Sequence, residues 1–140
     1  RKDHPMRLAL PLTLALATAA TAQTCEIDIA AVEARIAELE PSYGLVLSDI
    51  GCDAPTNPAH ILMCNATGTR HEDLWRMGRL DDLAWVYALE NATGQEVDQT
   101  NPPRDDDFLA SRDACTDAAC LCDALIRHTN ASLGGTSPYP

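Results

Sequence analysis

Residues 72–91 read Glu72-Asp-Leu-Trp-Arg-Met-Gly-Arg-Leu-Asp-Asp-Leu-Ala-Trp-Val-Tyr-Ala-Leu-Glu-Asn91. Leu74, Met77, Leu80, Ala84, Tyr87 and Ala88 recur every three or four positions, the stripe of an amphipathic helix. Gly94 predicts its end. The same period governs residues 27–39, where Ile29, Val32, Ile36 and Leu39 share one face and Glu33, Arg35 and Glu38 the other, with Pro41 and Gly44 as stops. Thr56-Asn57-Pro58 opens a short helix through a capping side chain and a first-turn proline. It should finish near Asn65, before Gly68. Two further helices follow a loop: one begins near Phe108, the other is capped by Thr116-Asp117 and runs to about Ser132, before Gly134-Gly135. Only the short apolar stretch Tyr43–Ile50 leaves helix and strand both open. There are no internal repeats and no convincing strands. The fold class is therefore all-α, a small disulfide-stapled domain of about four to five helices.

Around this core the chain divides by composition. Residues 6–22 carry a basic residue (Arg7), an apolar run Leu8–Ala17 and a small-residue exit Ala20-Thr21-Ala22, the layout of a secretory signal peptide. The apolar run is too short for a membrane span. Met6 is expected as the start, with residues 1–5 upstream of it. Residues 1–22 are set apart from the fold, residues 23–135 form the helical domain, and residues 136–140 are expected to be a disordered tail. The sequence holds ten basic and 21 acidic residues, a net charge of −11. Removing Arg1, Lys2, Arg7 and Asp3 leaves seven basic against twenty acidic residues, or −13. That balance argues against nucleic acid and anionic lipid as partners; it favours a basic protein through long-range steering, with simple solubility in a salty medium as the equal alternative. No second hydrophobic segment follows, so no membrane anchor is expected in the mature form.

Cys25, Cys52, Cys64, Cys115, Cys120 and Cys122 make an even set in a small exported chain, which reads as a disulfide framework. Cys115 and Cys120 are five apart, about 7.5 Å of rise in an unbroken helix, so they pair only if the helix breaks at Thr116-Asp117. Cys120 and Cys122 point about 200° apart. Cys52 and Cys64 bracket a turn and one short helix. Cys25 and Cys122 remain, tying the first mature helix to the last. Zinc on Cys115, Cys120, Cys122 and His128 is disfavoured by its spacing and compartment, and no metal or cofactor is expected. The residues before Cys25, Ala22-Gln23-Thr24, do not mark a lipoprotein cleavage site.

Three segments carry a family resemblance. Cys52-Asp-Ala-Pro-Thr-Asn-Pro-Ala-His-Ile-Leu-Met-Cys64 resembles the Cys-x11-Cys opening of LprI-like lysozyme inhibitor domains, and Leu80-Asp81-Asp82-Leu83-Ala84-Trp85-Val86-Tyr87 is similar to that family's Leu-Asp…Leu…Tyr helix. Phe108-Leu109-Ala-Ser-Arg112-Asp113-Ala-Cys115-Thr-Asp-Ala-Ala-Cys120-Leu121 resembles its Trp-Leu-x-x-Arg-Asp-x-Cys-x4-Cys-Leu pattern, cysteine for cysteine. The resemblance spans about residues 52–133. Phe108 replaces a usual tryptophan, Leu125 a usual tyrosine, and Tyr87 and Arg127 are displaced by one position. Cys25, Cys122 and the first mature helix are additions. The resemblance implies an exported binding protein that blocks the cleft of a lysozyme-type glycan hydrolase. An envelope structural or adaptor domain, binding another exported protein without inhibiting it, is the second expectation.

No catalytic residue stands out. His71-Glu72 is an isolated pair, and a cysteine nucleophile served by His60 or His128 conflicts with a disulfide framework. The loop 94–107 is the longest stretch without periodicity, and it ends in Asp105, Asp106 and Asp107. These three lack the alternating oxygen ligands of a calcium loop. They are expected to cap the Phe108 helix, with one carboxylate sufficing and the surplus offering a contact for a basic protein such as lysozyme. Trp75 and Trp85, ten residues apart, are expected on opposite helix faces, one in the core and one exposed as an interface anchor. Asn65-Ala-Thr67, Asn91-Ala-Thr93 and Asn130-Ala-Ser132 are formal glycosylation sequons, without meaning in a bacterial protein.

Overall fold

The computed structural model describes residues 25–65 and 71–140. Residues 1–24, which include the segment expected as a signal peptide, Gly68 and the side chain of His71 lie outside the described residues. Five helices follow in order: α1 (Ile29–Tyr43), α2 (Pro58–Cys64), α3 (His71–Thr93), α4 (Asp106–Asp113) and α5 (Ala118–Leu133), with a 3-10 turn over Gly134–Thr136. No strand occurs among the described residues. Of the stretch Tyr43–Ile50, left open by its sequence, Tyr43 ends α1 and the rest belongs to irregular chain over residues 44–57, which buries Val46 and Ile50.

Helices α1, α2, α4 and α5 each begin where a short polar side chain can satisfy free amides. Asp28 accepts from Ala31 N at 3.2 Å, Asn57 from Ala59 N at 2.9 Å, Asp105 from Phe108 N at 3.2 Å, and Asp117 from Cys120 N at 2.8 Å. Gly94 and Gly134 end α3 and α5 at φ values of +65° and +55°, where a Cβ would be strained. Pro41 does not stop α1, which runs through it to Tyr43. Its fixed φ is already helical, and so near the helix end its missing N–H removes only one ladder bond.

The central element is α3, contacted by α1, α2 and α5, while α4 packs against α5 and α2. Met77, Leu80, Leu83 and Val86 of α3 meet Val32 of α1, Ala59 of α2 and Leu121 and Leu125 of α5 in one core. Full burial of each such leucine contributes about 1.5–3 kcal/mol. Ten residues of helix turn through about 1,000°, which leaves Trp75 and Trp85 only about 80° apart rather than opposed. Both are half-buried, so neither is a free anchor. The segment 136–140 is ordered, contrary to expectation: Tyr139 is 7% exposed and Ser137 Oγ donates to Asn130 Oδ1 at 2.5 Å. The large ring of Tyr139 gives these few residues enough apolar surface to dock.

The cysteines pair as their spacing implies: Cys25–Cys122, Cys52–Cys64 and Cys115–Cys120, with Cα separations of 5.7, 5.5 and 5.5 Å. The α4–α5 break at residues 114–117 brings Cys115 and Cys120 within reach. Three disulfides mark a chain that matures in an oxidising compartment rather than a reducing cytosol. No helix among the described residues is long and apolar enough to cross a membrane.

The bridges should differ in weight. Cys25–Cys122 spans a sequence separation of 97, against 5 for Cys115–Cys120. Chain entropy assigns them about 4.7 and about 2.2 kcal/mol. Replacing Cys25 and Cys122 by alanine should lower the denaturation midpoint about twice as far as replacing Cys115 and Cys120. Equal shifts in urea melts would show that the long bridge joins segments already close in the unfolded chain.

Candidate functional site

Asp81 lies on the apolar stripe of α3, one turn beyond Met77, and is only 3% exposed. A carboxyl there must find donors or stay protonated. Thr129 of α5 donates its hydroxyl at 3.0 Å, and Nδ1 of His128 lies 2.8 and 3.0 Å from the two oxygens of Asp81. On the other side of the ring, Nε2 lies 2.9 Å from Asp105 Oδ2. An imidazole flanked by two carboxylates donates from both nitrogens only when protonated. Burial opposes that charge, but hydrogen bonds and fields from Asp81 and then Asp105 outweigh it and raise the His128 pKa. Burial likewise pushes the Asp81 carboxyl up, against its bonds from His128 and Thr129. The Asp105 carboxyl is held below its ordinary value: the Phe108 amide and His128 overcome its desolvation. Phe108 stacks on the imidazole at 3.7 Å between centroids, and Trp85 lies tilted at 5.4 Å while donating Nε1–H to Pro103 O at 2.8 Å.

A second polar cluster adjoins the first. Arg112 of α4 is 3% exposed and donates Nη1–H and Nη2–H to the two oxygens of Asp49, at 2.9 and 2.6 Å. Its Nε–H goes to Asp113 Oδ1 at 2.9 Å, and His60 Nε2 of α2 meets that oxygen at the same distance. Asn57 donates its side-chain N–H to Asp113 O at 2.9 Å. Desolvation works against both charges of the Arg112–Asp49 pair. Their mutual hydrogen bonds prevail, raising the Arg112 pKa and lowering that of Asp49.

The three aspartates before α4 separate in this setting. Asp105 caps the helix with one oxygen and meets His128 with the other, so its carboxylate is turned inward. The cap therefore falls to Asp105 and not to whichever aspartate remains. Asp106 and Asp107 are exposed on the first turn of α4. The loop before them is fastened to the end of α1: Gln99 donates to Ser42 O at 2.8 Å and Arg104 to Leu47 O at 3.1 Å. The histidines named with the cysteines are likewise engaged, His60 by Asp113 and His128 by its two aspartates, and all six cysteines are in disulfides. Among the described residues no cluster of three His, Cys, Asp or Glu side chains is arranged to hold a metal ion.

Positive charge is used internally throughout. Arg35 pairs with Glu38, Arg76 with Glu33, Glu72 and Asp73, Arg79 with Glu40, Arg104 with Asp82, and Arg127 with Asp123. With Arg112 this makes every arginine among the described residues ion-paired. The outward field is left to the acidic surplus. Nothing in the sequence pattern had placed His128, Asp49 or Asp81 in a site. The available signal was polarity on an apolar stripe: Asp81 with Met77 and Ala84, and Thr129 with Leu121 and Leu125. Compared with known proteins, the chain matches no family model, no curated protein and no solved structure. Fold and site together define a disulfide-stapled, acidic, all-α domain with two interlocked ion clusters.

Two measurements test this geometry. Asp105→Ala removes the cap and a histidine partner, and should cost about 1–3 kcal/mol, whereas Asp106→Asn should stay within about 0.5 kcal/mol. Equal effects would put the cap elsewhere. A histidine with a raised folded pKa stabilises fully below its unfolded value of about 6.5 and loses that contribution as pH rises through the folded value. The stability margin of the native protein over His128→Gln should therefore narrow as urea melts are moved upward from about pH 6.5. A constant margin would mean that His128 holds no additional proton.

Proposed function

We propose that this chain is an exported binding domain for a basic protein, acting in the periplasm or outside the cell. Its leading target is a lysozyme-type glycan hydrolase, inhibited by occlusion of a cleft built around two carboxylates. The observation that carries this reading is the internal pairing of every described arginine, which leaves the exposed acid unneutralised. Such a field steers a basic partner and raises its on-rate. The resemblance to LprI-like domains points the same way, and Phe108, Arg112 and Asp113 of its motifs lie together on α4. Exposed Asp106 and Asp107 offer a rim contact, on a helix held by the Cys115–Cys120 bridge. One observation favours the adaptor reading. Leu45 and Leu47 are each 66% exposed, an apolar pair suited to docking another envelope protein without blocking a cleft.

A turbidity assay, with purified protein added to a basic lysozyme and bacterial cell walls, separates these readings. Inhibition should appear, and association should slow steeply as salt rises through about 0.15 M, where the screening length is roughly 8 Å. Asp106→Asn with Asp107→Asn should weaken binding by about 0.5–2 kcal/mol at unchanged stability. Full lysozyme activity at saturating protein would remove the inhibitor reading and leave the adaptor.

A further inference from the structure

Asp82 lies one residue beyond the His128 clamp and faces a different environment. Together with Leu47, Met63, Trp75, Gly78 and Arg79 it lines a hollow of about 200 Å³ between α3, α2 and the chain after α1. The walls are mainly hydrocarbon and indole, and at Gly78 the methyl of Met63 sits where a Cβ would lie. Leu47 lines the hollow with its side chain largely in water, and Leu45 is equally exposed two residues away. The Asp82 side chain is only 12% exposed, and Arg104 Nη1 stands 3.6 Å from its carboxyl oxygen, an ion pair too long for a hydrogen bond.

The neighbouring cations each have further partners. Arg104 donates to Leu47 O, and Arg79 is turned to Glu40 and to the carbonyls of Gly44 and Val46. Arg112 of α4 belongs to Asp49 and Asp113. Two negative groups face Asp82: Asp81 on its own helix and Asp49 from the chain after α1. Burial, then Asp81 and Asp49, push the Asp82 carboxyl up to about 7, with Arg104 and Arg112 opposing. The apolar hollow therefore ends in a carboxyl whose ion contact, to Arg104, is too long for a hydrogen bond.

We propose that this hollow receives a lysine or arginine side chain from a basic protein partner, its hydrocarbon stem against Leu47, Met63 and Trp75 and its charged end on Asp82. A cation there gains an ion contact in a partly dehydrated place and an indole wall beside its stem. The inference rests on the partner's being basic, not on its being a glycan hydrolase.

The test uses n-butylammonium, with n-butanol as the uncharged control, titrated into the whole chain while the Trp75 indole and Gly78 amide resonances are followed. At about pH 8 the ammonium should bind at least about fivefold more tightly than the alcohol. That preference should shrink as pH is lowered through about 7 and Asp82 takes up a proton. Asp82→Asn should erase the preference and leave the alcohol unaffected. Equal affinities at pH 8, no shift at either resonance, or a preference that survives in Asp82→Asn would each overturn the proposal. If Asp82→Asn does not fold, the native protein decides, because a preference that does not change with pH also overturns it. Lysozyme takes no part in the measurement, so failure of the inhibitor reading and failure of this site are told apart.

Discussion

The Arg112 guanidinium is almost wholly removed from water, and a permanent cation so placed must have acceptors built around it. Asp49 supplies two and Asp113 a third, and the consequences spread from there. Asp49 belongs to irregular chain, so the fork-to-fork contact fixes a segment that no backbone ladder holds. Asp113 turns to His60 through its carboxylate and to Asn57 through its carbonyl, which seats the start of α2 against the end of α4. Phe108, one turn before Arg112, is held with its ring 5.9 Å from the guanidinium carbon and carries that order to His128. Removing either member of the Arg112–Asp49 pair would strand the other charge, at a cost of about 3–5 kcal/mol.

Arginine suits this organisation better than lysine would. After Lys2 the sequence contains no lysine. A planar fork with five donors can serve several acceptors at once, where an ammonium acts as one compact charge. Arg76 reaches Glu33 on α1 as well as Glu72 and Asp73 on its own helix, and Arg104 joins Asp82 to the Leu47 carbonyl. A few cations thus hold many elements together, and the remaining carboxylates face water. The acidity of the surface and the order of the interior have one origin.

What the sequence makes legible is local. Helix periods, caps and stops depend on residues within one or two turns, and Asn57-Pro58, Asp117 and Gly94 act where they were expected. The cysteine pairs were legible because bond geometry leaves few choices. The two ion clusters were not, since His128 is 47 residues from Asp81 and 23 from Asp105. No periodicity carries such a pairing. Asp105–Asp107 illustrate the limit: the triplet announces a cap, but which carboxylate turns inward depends on where α5 places an imidazole. The tail misled for a similar reason, because five polar and proline-rich residues give no hint that one tyrosine will find a berth.

Asp81 and Asp82 show how one helix serves both the His128 cluster and the hollow. Successive residues of a helix point about 100° apart, so Asp81 turns to α5 and Asp82 to the hollow by Trp75. Their carboxyls still act on each other: after burial, Asp81 does more than Asp49 to raise the Asp82 pKa. Hydrogen bonds from His128 and Thr129 favour that charge on Asp81, against the burial that raises its pKa. The clamp on one face of α3 therefore contributes to the electrostatic condition of the adjacent face. A cation seated on Asp82 would act back on Asp81 through the same few ångströms and favour its ionised form, and with it the imidazolium of His128. Thermodynamic coupling between sites is reciprocal, so whatever steadies the clamp also favours a cation in the hollow.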